Sequence, residues 1–227
     1  MKTKDNISLP KKIFRSLASN KTSKSIVFLF LRATRKMFWK FRKFENEGQI
    51  DSFYLDFLQK NIDTNLPDQH IIEVGCSDGY TLGQFANQLP TWKFTGIDLQ
   101  TQAIETALEK YKNMPNMDFI CKSILDDTIE WDCDYLLSRT TLIYLNYDEI
   151  KLFFQRTLPK IKSKLLLIEV ISVSDKTENL HYFAHPIKSI FEQSDFMNEF
   201  TIDIELLDYE HWISDGAAGA AVSIVRK

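Results

Sequence analysis

The stretch Ile71-Ile72-Glu73-Val74-Gly75-Cys76-Ser77-Asp78-Gly79 decides the fold of this chain. It begins as an apolar strand and runs into small residues, which allow the backbone to approach a ligand closely. An amphipathic helix is predicted next, because apolar side chains recur with helical spacing over positions 82–89 and Pro90 ends the pattern. A second strand, 94–97, ends in Asp98, and a carboxylate there can accept hydrogen bonds from ribose hydroxyls. We therefore predict a strand–turn–helix–strand unit that holds a nucleoside.

The spacing of the small residues indicates which nucleoside. A dinucleotide fingerprint has the form G-x-G-x-x-G, whereas the small residues here stand at 75, 77 and 79. Glu73 lies two residues before the first of them, where a carboxylate would repel a pyrophosphate but suits a ligand with cationic groups. The pattern resembles E/D-x-G-x-G-x-G, the first motif of class I S-adenosylmethionine-dependent methyltransferases, with Ser77 in the place of the middle glycine. The alternative is a chance match in the turn of another α/β protein.

The resemblance implies which residues hold the cofactor, S-adenosylmethionine. Glu73 would neutralise its cationic end, residues 75–77 would line its methionine part, and Asp98 would bind the ribose. Relatives often carry an acid after the third strand to bind the adenine amino group, whereas this chain has Ser123 followed by Ile124, so the adenine contact departs from the pattern. The cofactor-binding residues that we predict are Glu73, Gly75, Cys76, Ser77, Gly79, Asp98, Leu99, Ser123, Ile124 and Ser138.

Strands and helices are predicted to alternate through residues 49–227, which implies a mostly parallel sheet with right-handed crossovers. The tail departs from the alternation, because 200–209 and 218–225 are both predicted strands and their polar connection is too short for a parallel crossover. These two strands should therefore be antiparallel. The predicted fold class is α/β, a three-layer Rossmann-like sandwich with a seven-stranded sheet whose last strand is antiparallel, as the resemblance also implies.

A few residues beyond the cofactor motif bear on the methyl acceptor. The turn after the fourth strand, 138–141, lacks the N/D-P-P-Y tetrapeptide that resembles amino methyltransferases, which disfavours a planar nitrogen acceptor. Arg139 in this turn is either a binding group for an anionic acceptor, such as a phosphate or a uronic acid, or one half of a surface ion pair. His181 and His185 follow the fifth strand, and each is either the base for a hydroxyl acceptor or a residue that only packs. No metal site is predicted, since no carboxylate pair accompanies these histidines.

Composition and cysteine usage indicate an intracellular globular protein. The 227 residues are enough for one α/β domain and a short extra segment. The three cysteines have no C-x-x-C spacing, so we expect reduced thiols and a cytoplasmic location. No secretory signal is evident, and the early apolar run 26–31 is far shorter than the roughly 20 residues that span a bilayer.

Charge separates an N-terminal arm, residues 1–48, from the body. Residues 1–43 contain 13 Lys and Arg against one acid, a net charge of +12, whereas the rest of the chain carries −15. Aromatic side chains stand among these bases, which favours a helix lying on an anionic membrane surface. A cap helix packed on the acidic body is an equally supported alternative, and a nucleic-acid contact is less so.

We therefore expect a cytoplasmic methyltransferase, peripheral to the inner face of the membrane if the arm binds lipid. Its acceptor is small or membrane-linked, and a hydroxyl of a sugar or surface-glycan precursor fits best. The alternatives are an RNA or protein methyltransferase that holds its acceptor with the arm, and a non-catalytic nucleoside-binding module. The sequence does not indicate the oligomeric state.

The arm hypothesis predicts salt-dependent membrane binding. Each Lys or Arg near an anionic surface contributes about 1 kcal/mol, and salt screens the attraction. The full chain should sediment with anionic vesicles at low salt and leave them as salt rises, while a chain that starts at Gly48 stays in solution and keeps its cofactor site. Failure of the full chain to bind anionic vesicles at low salt would exclude the membrane role.

Overall fold

The computed structural model describes residues 52–172, 184–207 and 217–227. The basic arm, the loop that contains His181, and the connection between the last two strands lie outside the described residues. None of the helices within the described ranges is long and apolar enough to cross a membrane.

The described elements alternate between strands and helices before the tail, except that the fourth strand follows the third with no helix between them. They are α1 (Ser52–Asn61), β1 (His70–Val74), α2 (Tyr80–Ala86), β2 (Lys93–Asp98), α3 (Thr101–Lys110), β3 (Met117–Cys121), β4 (Cys133–Arg139), α4 (Tyr147–Thr157), β5 (Ile161–Ser172), α5 (Ile187–Glu192), β6 (Phe200–Leu207) and β7 (Ala217–Arg226). Short 3₁₀ turns follow β4, α4 and α5.

One seven-stranded sheet organises these elements, in the order β3-β2-β1-β4-β5-β7-β6. Strands β1 to β5 pair in parallel with their neighbours, whereas β7 is antiparallel to both β5 and β6. The predicted fold class is thus confirmed, including the antiparallel last strand.

Apolar side chains of the central strands alternate between two cores on opposite faces of the sheet. Ile72 of β1 belongs to the core that contains α4 and α5, while its neighbour Ile71 belongs to the core that contains α1 and α2. This alternation follows from the two-residue period of a strand, and both faces are apolar because helices cover both.

Local sequence signals account for most of the helices, with one error. Asn146 followed by Glu149 three residues later is a sequence pattern that predicts a capping box, and the structure contains it at the start of α4, with side-chain to backbone hydrogen bonds in both directions. The helical spacing of the apolar residues in 104–111 predicts that Ile104, Ala107 and Leu108 lie on the buried face of α3. Ile104 and Ala107 are buried as expected, together with Ala103, but half of Leu108 is exposed. The cysteines Cys76, Cys121 and Cys133 are free thiols, as predicted.

The sheet topology determines where a ligand can bind. In the registers of the central strands, Val74 pairs with Ile97 on one side and with Ser138 on the other. The carboxyl ends of β1, β2 and β4 therefore lie side by side at one edge of the sheet. Open α/β sheets bind their ligands at this edge.

Candidate functional site

The loop after β1 requires small residues at the three positions of the motif. Gly75, Ser77 and Gly79 all have left-handed backbone conformations, with φ of 69°, 52° and 74°. The amides of Gly75 and Cys76 both donate to the carbonyl of Ile97, at 2.7 and 3.2 Å, which holds the loop against β2. A serine tolerates this conformation less well than glycine, so Ser77 introduces a small backbone strain.

Asp98 connects this loop to the end of β2. Its Oδ2 accepts a hydrogen bond from the amide of Ser77 at 3.0 Å, and its Oδ1 accepts one from the amide of Gln100 at 2.8 Å. Burial raises the pKa of the carboxyl, although these amide hydrogen bonds oppose the shift. Each oxygen has a second lone pair, so the carboxylate can bind two ribose hydroxyls while it organises the loop.

Glu73 is a buried acid with a free oxygen. Its side chain is 3% exposed, and Oε2 has no hydrogen-bond partner among the described residues. Burial raises the pKa of Glu73 to about 8, although a hydrogen bond from Thr81 and the charge of Arg139 act in the opposite direction. A buried acid with an unpaired oxygen suits a ligand that brings a positive charge.

Tyr54 and Arg139 complete what we call the Glu73 cluster, which comprises Tyr54, Glu73, Thr81 and Arg139. The Tyr54 hydroxyl is buried and faces Glu73, and its interaction with that carboxyl opposes the upward shift of the Glu73 pKa. The guanidinium of Arg139 lies 5.7 Å from the centre of the Tyr54 ring, a cation–π distance. Arg139 is half-buried, and its guanidinium forms no ion pair within the described part of the chain. The alternative role of Arg139, one half of a surface ion pair, is therefore not seen in that part.

Glu169 of β5 holds the turn that follows β4, residues 139–142, which we call the β4 turn. Its Oε1 accepts hydrogen bonds from Ser138 Oγ at 2.7 Å and from the amides of Thr141 and Leu142 at 3.0 and 3.1 Å. Burial raises the pKa of Glu169 to about 7. The Ser138 hydroxyl, predicted to contact the cofactor, is thus fully buried and already bonded to Glu169.

His185 is buried beside the same turn. Only 3% of it is exposed, and Nε2 lies 3.2 Å from the carbonyl oxygen of Leu142, to which it must donate. Burial lowers the pKa of His185 to about 4, so the ring is neutral at physiological pH. A buried neutral ring bound to a backbone carbonyl favours positioning of the turn over direct contact with an acceptor. The second candidate base, His181, lies outside the described residues.

The remaining predicted residues fall into two groups. Leu99 and Ser123 are half-buried after β2 and β3, where an adenosine would lie, and Ile124 packs against the core. Gly79 instead faces an aromatic pair, because a Cβ there would lie 2.5 Å from Phe119 and 3.1 Å from Tyr111. Packing thus explains Gly79 without a ligand, and Cys76 is likewise buried.

Sequence reasoning missed four residues of the site: Tyr54, Thr81, Thr141 and Glu169. Glu169 carried a signal, because it is the one acid in the apolar run 165–171. The helical spacing of apolar residues around Tyr54 predicts only that its ring packs in the core, and nothing in the sequence indicates that its hydroxyl lies beside Glu73. The contacts of Thr81 and Thr141 depend on how the loops fold over one another, which residue type does not reveal.

Comparisons with known families and curated proteins identify relatives. Residues 71–163 match a family model described as a methyltransferase domain. Malonyl-[acyl-carrier protein] O-methyltransferase 1 of Ilyobacter polytropus is 26% identical over 112 residues, which are 49% of this chain and 41% of that protein. Its counterpart from Bacillus anthracis is 33% identical over 76 residues, 34% of this chain and 28% of that protein. The chain thus matches less than half the length of these relatives.

Solved structures share the fold at low sequence identity. Magnesium protoporphyrin IX methyltransferase from Synechocystis PCC 6803 with bound SAH has a TM-score of 0.62 at 13% identity, covering 87% of this chain and 100% of that one. Geranyl diphosphate C-methyltransferase from Streptomyces coelicolor A3(2) has a TM-score of 0.61 at 10% identity, covering 77% and 78%. The [4+2]-cyclase SpnF has a TM-score of 0.61 at 16% identity, covering 81% and 86%, so the fold alone does not determine the reaction.

The buried Glu73 predicts a pH dependence of stability. Its pKa is about 8 in the folded chain against 4.5 for an exposed glutamate, so the folded state binds the proton more tightly and loses stability as pH rises between these values. Glu73→Gln should be more stable than the wild type at pH 8.5, by on the order of 4–5 kcal/mol because each unit of pKa shift corresponds to about 1.4 kcal/mol, and should lose this advantage near pH 4. Urea unfolding at both pH values measures the effect, with the exposed Glu105→Gln as control. Equal pH dependence in the wild type and Glu73→Gln would contradict the assignment.

Proposed function

We propose that the chain is a class I S-adenosylmethionine-dependent methyltransferase and that it transfers a methyl group from S-adenosylmethionine to an anionic acceptor, an oxygen of a carboxylate. The observation that carries the acceptor class is Arg139, a half-buried member of the Glu73 cluster at the carboxyl edge of the sheet, whose guanidinium forms no ion pair within the described residues.

The residues at this edge fit the proposed cofactor. The free Oε2 of Glu73 suits the cationic amino group of the methionine part, and the spare lone pairs of Asp98 suit the ribose hydroxyls. The left-handed loop that begins at Gly75 places the amide of Ser77 against the Asp98 carboxylate. When bound, S-adenosylmethionine supplies an electrophilic methyl group on a sulfonium, and the protein supplies orientation and electrostatics.

A carboxylate acceptor suits the ionisable groups at this edge. An alcohol acceptor needs a base to remove its proton, whereas a carboxylate is ionised at neutral pH and is itself the nucleophile. Glu73, Glu169 and His185 are all buried, and each is bonded to, or faces, groups of the protein itself. Orientation is then the main requirement, and holding two reactants in line can lower a barrier by about 7–11 kcal/mol.

Arg139 would provide that orientation. A guanidinium can bind a carboxylate through two parallel hydrogen bonds, which determines both the position and the plane of the acceptor. The Tyr54 ring beneath it limits the directions in which the guanidinium can point. The curated relatives are methyltransferases of malonyl groups on acyl carrier protein, and a malonyl group ends in a free carboxylate, which supports the same acceptor class.

Two further proposals concern the acceptor's carrier and a second acceptor class. A sugar hydroxyl, with His181 as its base, is the second candidate acceptor, and the aromatic- and histidine-rich loop 180–186 favours it. A uronic acid fits both candidates, because it is a sugar that carries a carboxylate. The basic arm favours an acceptor or carrier held at an anionic membrane surface, with the enzyme peripheral to it.

Cofactor binding should release a proton from Glu73. Burial keeps Glu73 protonated below a pH of about 8, while the α-amino group of the ligand, with a pKa of about 8, is charged at pH 6.5. An ammonium placed beside the carboxyl lowers the pKa of Glu73, so up to one proton should leave on binding at pH 6.5. Calorimetry in buffers of different ionisation enthalpy counts that proton. The release should disappear in Glu73→Gln and persist in Glu105→Gln. No proton release from the wild type would remove Glu73 from the cofactor site.

Arg139 should affect the acceptor and leave the cofactor unaffected. A hydrogen bond to a charged group contributes about 1.5–3 kcal/mol, so Arg139→Gln should raise KM for a carboxylate acceptor roughly 10- to 100-fold. The Kd for S-adenosylhomocysteine should change less than about twofold. Arg139→Lys keeps the positive charge and should raise KM for the acceptor less than Arg139→Gln does. Suitable acceptors are malonyl-acyl carrier protein and glucuronate.

The matched control is Lys162→Gln, which removes a cation at the opposite edge of the sheet, where Lys162 pairs with Asp132. If Arg139→Gln weakened the binding of S-adenosylhomocysteine as much as that of the acceptor, Arg139 would belong to the cofactor site instead. If the enzyme methylated neither carboxylate but did methylate a neutral sugar, the proposed acceptor would be a hydroxyl group and not a carboxylate.

A further inference from the structure

We propose that Glu169 and His185 are positioning residues, which together clamp the β4 turn from two sides and thereby hold Arg139 at the acceptor position. The inference rests on the proposed function, because the orientation of this turn affects the reaction only if Arg139 meets the acceptor. Neither residue contacts the reacting atoms in this account, and both act through the turn.

The first half of the clamp is a single carboxylate oxygen with three donors. Ser138 Oγ and the amides of Thr141 and Leu142 converge on Oε1 of Glu169. A carboxylate oxygen binds such donors about twice as strongly as a neutral acceptor does. The β4 turn lies between β4 and β5, so this oxygen connects the end of one strand to the middle of the next.

The second half holds the same residue, Leu142, through its carbonyl group. Leu142 donates its amide to Glu169 and accepts a hydrogen bond at its carbonyl from Nε2 of His185. His185 is itself anchored, since its own carbonyl accepts from the amides of Ser172, at the end of β5, and Ile187. Both polar groups of Leu142 are thus bound to side chains from the region around β5.

The clamped turn has little freedom left. Thr140 has a left-handed φ of 49° and donates its amide to the carbonyl of Ile168 at 2.8 Å, while Thr141 Oγ1 donates to the carbonyl of Arg139 at 3.1 Å. A threonine in this conformation is strained, and such strain persists only where the surroundings impose it. The clamp is the arrangement that imposes it here.

The turn also contacts the glycine loop directly. A Cβ added to Gly75 would lie 1.9 Å from Thr141 Oγ1, so the threonine occupies the space beside this glycine. The clamp therefore determines the distance between the turn that carries Arg139 and the loop that is proposed to hold the cofactor. Misplacement of a reacting group by about 1 Å can lower a rate 10²-fold, which is why such a support affects turnover.

The test compares graded variants of the clamp. Glu169→Gln keeps an oxygen acceptor without its charge, Glu169→Ala removes the acceptor, and Ser138→Ala removes one donor. We expect kcat/KM for malonyl-acyl carrier protein to fall about 10-fold in Glu169→Gln, about 100-fold in Glu169→Ala and 2- to 5-fold in Ser138→Ala. The Kd for S-adenosylhomocysteine should stay within about threefold of the wild type in all of them.

The control is Thr157→Val, which removes a buried side-chain hydrogen bond on α4, to the carbonyl of Phe153, far along the chain from the turn. This variant should keep kcat/KM within about twofold of the wild-type value. Unchanged kcat/KM in all three clamp variants would overturn the inference. A parallel loss of cofactor affinity in Glu169→Gln and Ser138→Ala would also overturn it, since the residues would then support the whole domain.

A second measurement separates this inference from the proposed function. If the wild type methylates neither carboxylate acceptor, the proposed acceptor class fails, and the clamp is judged from amide hydrogen exchange. Exchange at residues 140–143 should then rise at least 10-fold in Glu169→Gln and in Ser138→Ala, while exchange in the loop 75–79 stays unchanged. Unaltered protection of residues 140–143 would overturn the clamp regardless of the acceptor.

Discussion

The parallel pairing of β1 with β2 on one side and with β4 on the other is the constraint on which the candidate site depends. It brings Glu73, Asp98 and Arg139, which are far apart in the sequence, to a single edge of the sheet. A slip of one residue in either register would turn every side chain of a strand to the opposite face. Because helices cover both faces with apolar side chains, such a slip would bury polar groups and is strongly disfavoured.

The site contains buried acids for which the protein provides few hydrogen-bond partners. Glu73 and Glu169 are fully buried carboxyls, each has an oxygen without a hydrogen-bond partner among the described residues, and burial raises the pKa of both. They nevertheless differ in what surrounds them. Glu169 binds three donors of the protein and is therefore committed to the structure, whereas Glu73 faces Tyr54 and Arg139 at the edge where a ligand would enter. Groups held in an unfavourable ionisation state are typical of functional sites.

The sequence allowed prediction of features that depend on local pattern. The strand–turn–helix–strand unit around Glu73 and the capping box at Asn146 each need only a short stretch, and the structure contains both. The antiparallel tail was predictable because the length of a connection limits the pairing that it permits. Leu108 was placed wrongly, since a helical stripe does not indicate how far the sheet extends beneath its border.

The clamp of the β4 turn was not predictable in the same way. Its members are separated by tens of residues, and they meet only because β4 pairs with β5 and the chain returns to the end of β5 at His185. An isolated acid in an apolar strand, Glu169, indicated a functional or structural role without showing which. The residue type and loop position of His185 are compatible with a base or with a residue that only packs, and neither of them reveals its burial.

The central claim is that this edge of the sheet holds S-adenosylmethionine and not a nicotinamide dinucleotide. Isothermal titration of the full chain with S-adenosylhomocysteine and, separately, with NAD tests it most directly. The account predicts one site for S-adenosylhomocysteine, weakened by roughly 1.5–3 kcal/mol in Asp98→Ala, and no measurable binding of NAD. Binding of NAD together with no response to S-adenosylhomocysteine, in a chain whose fold is intact, would contradict it.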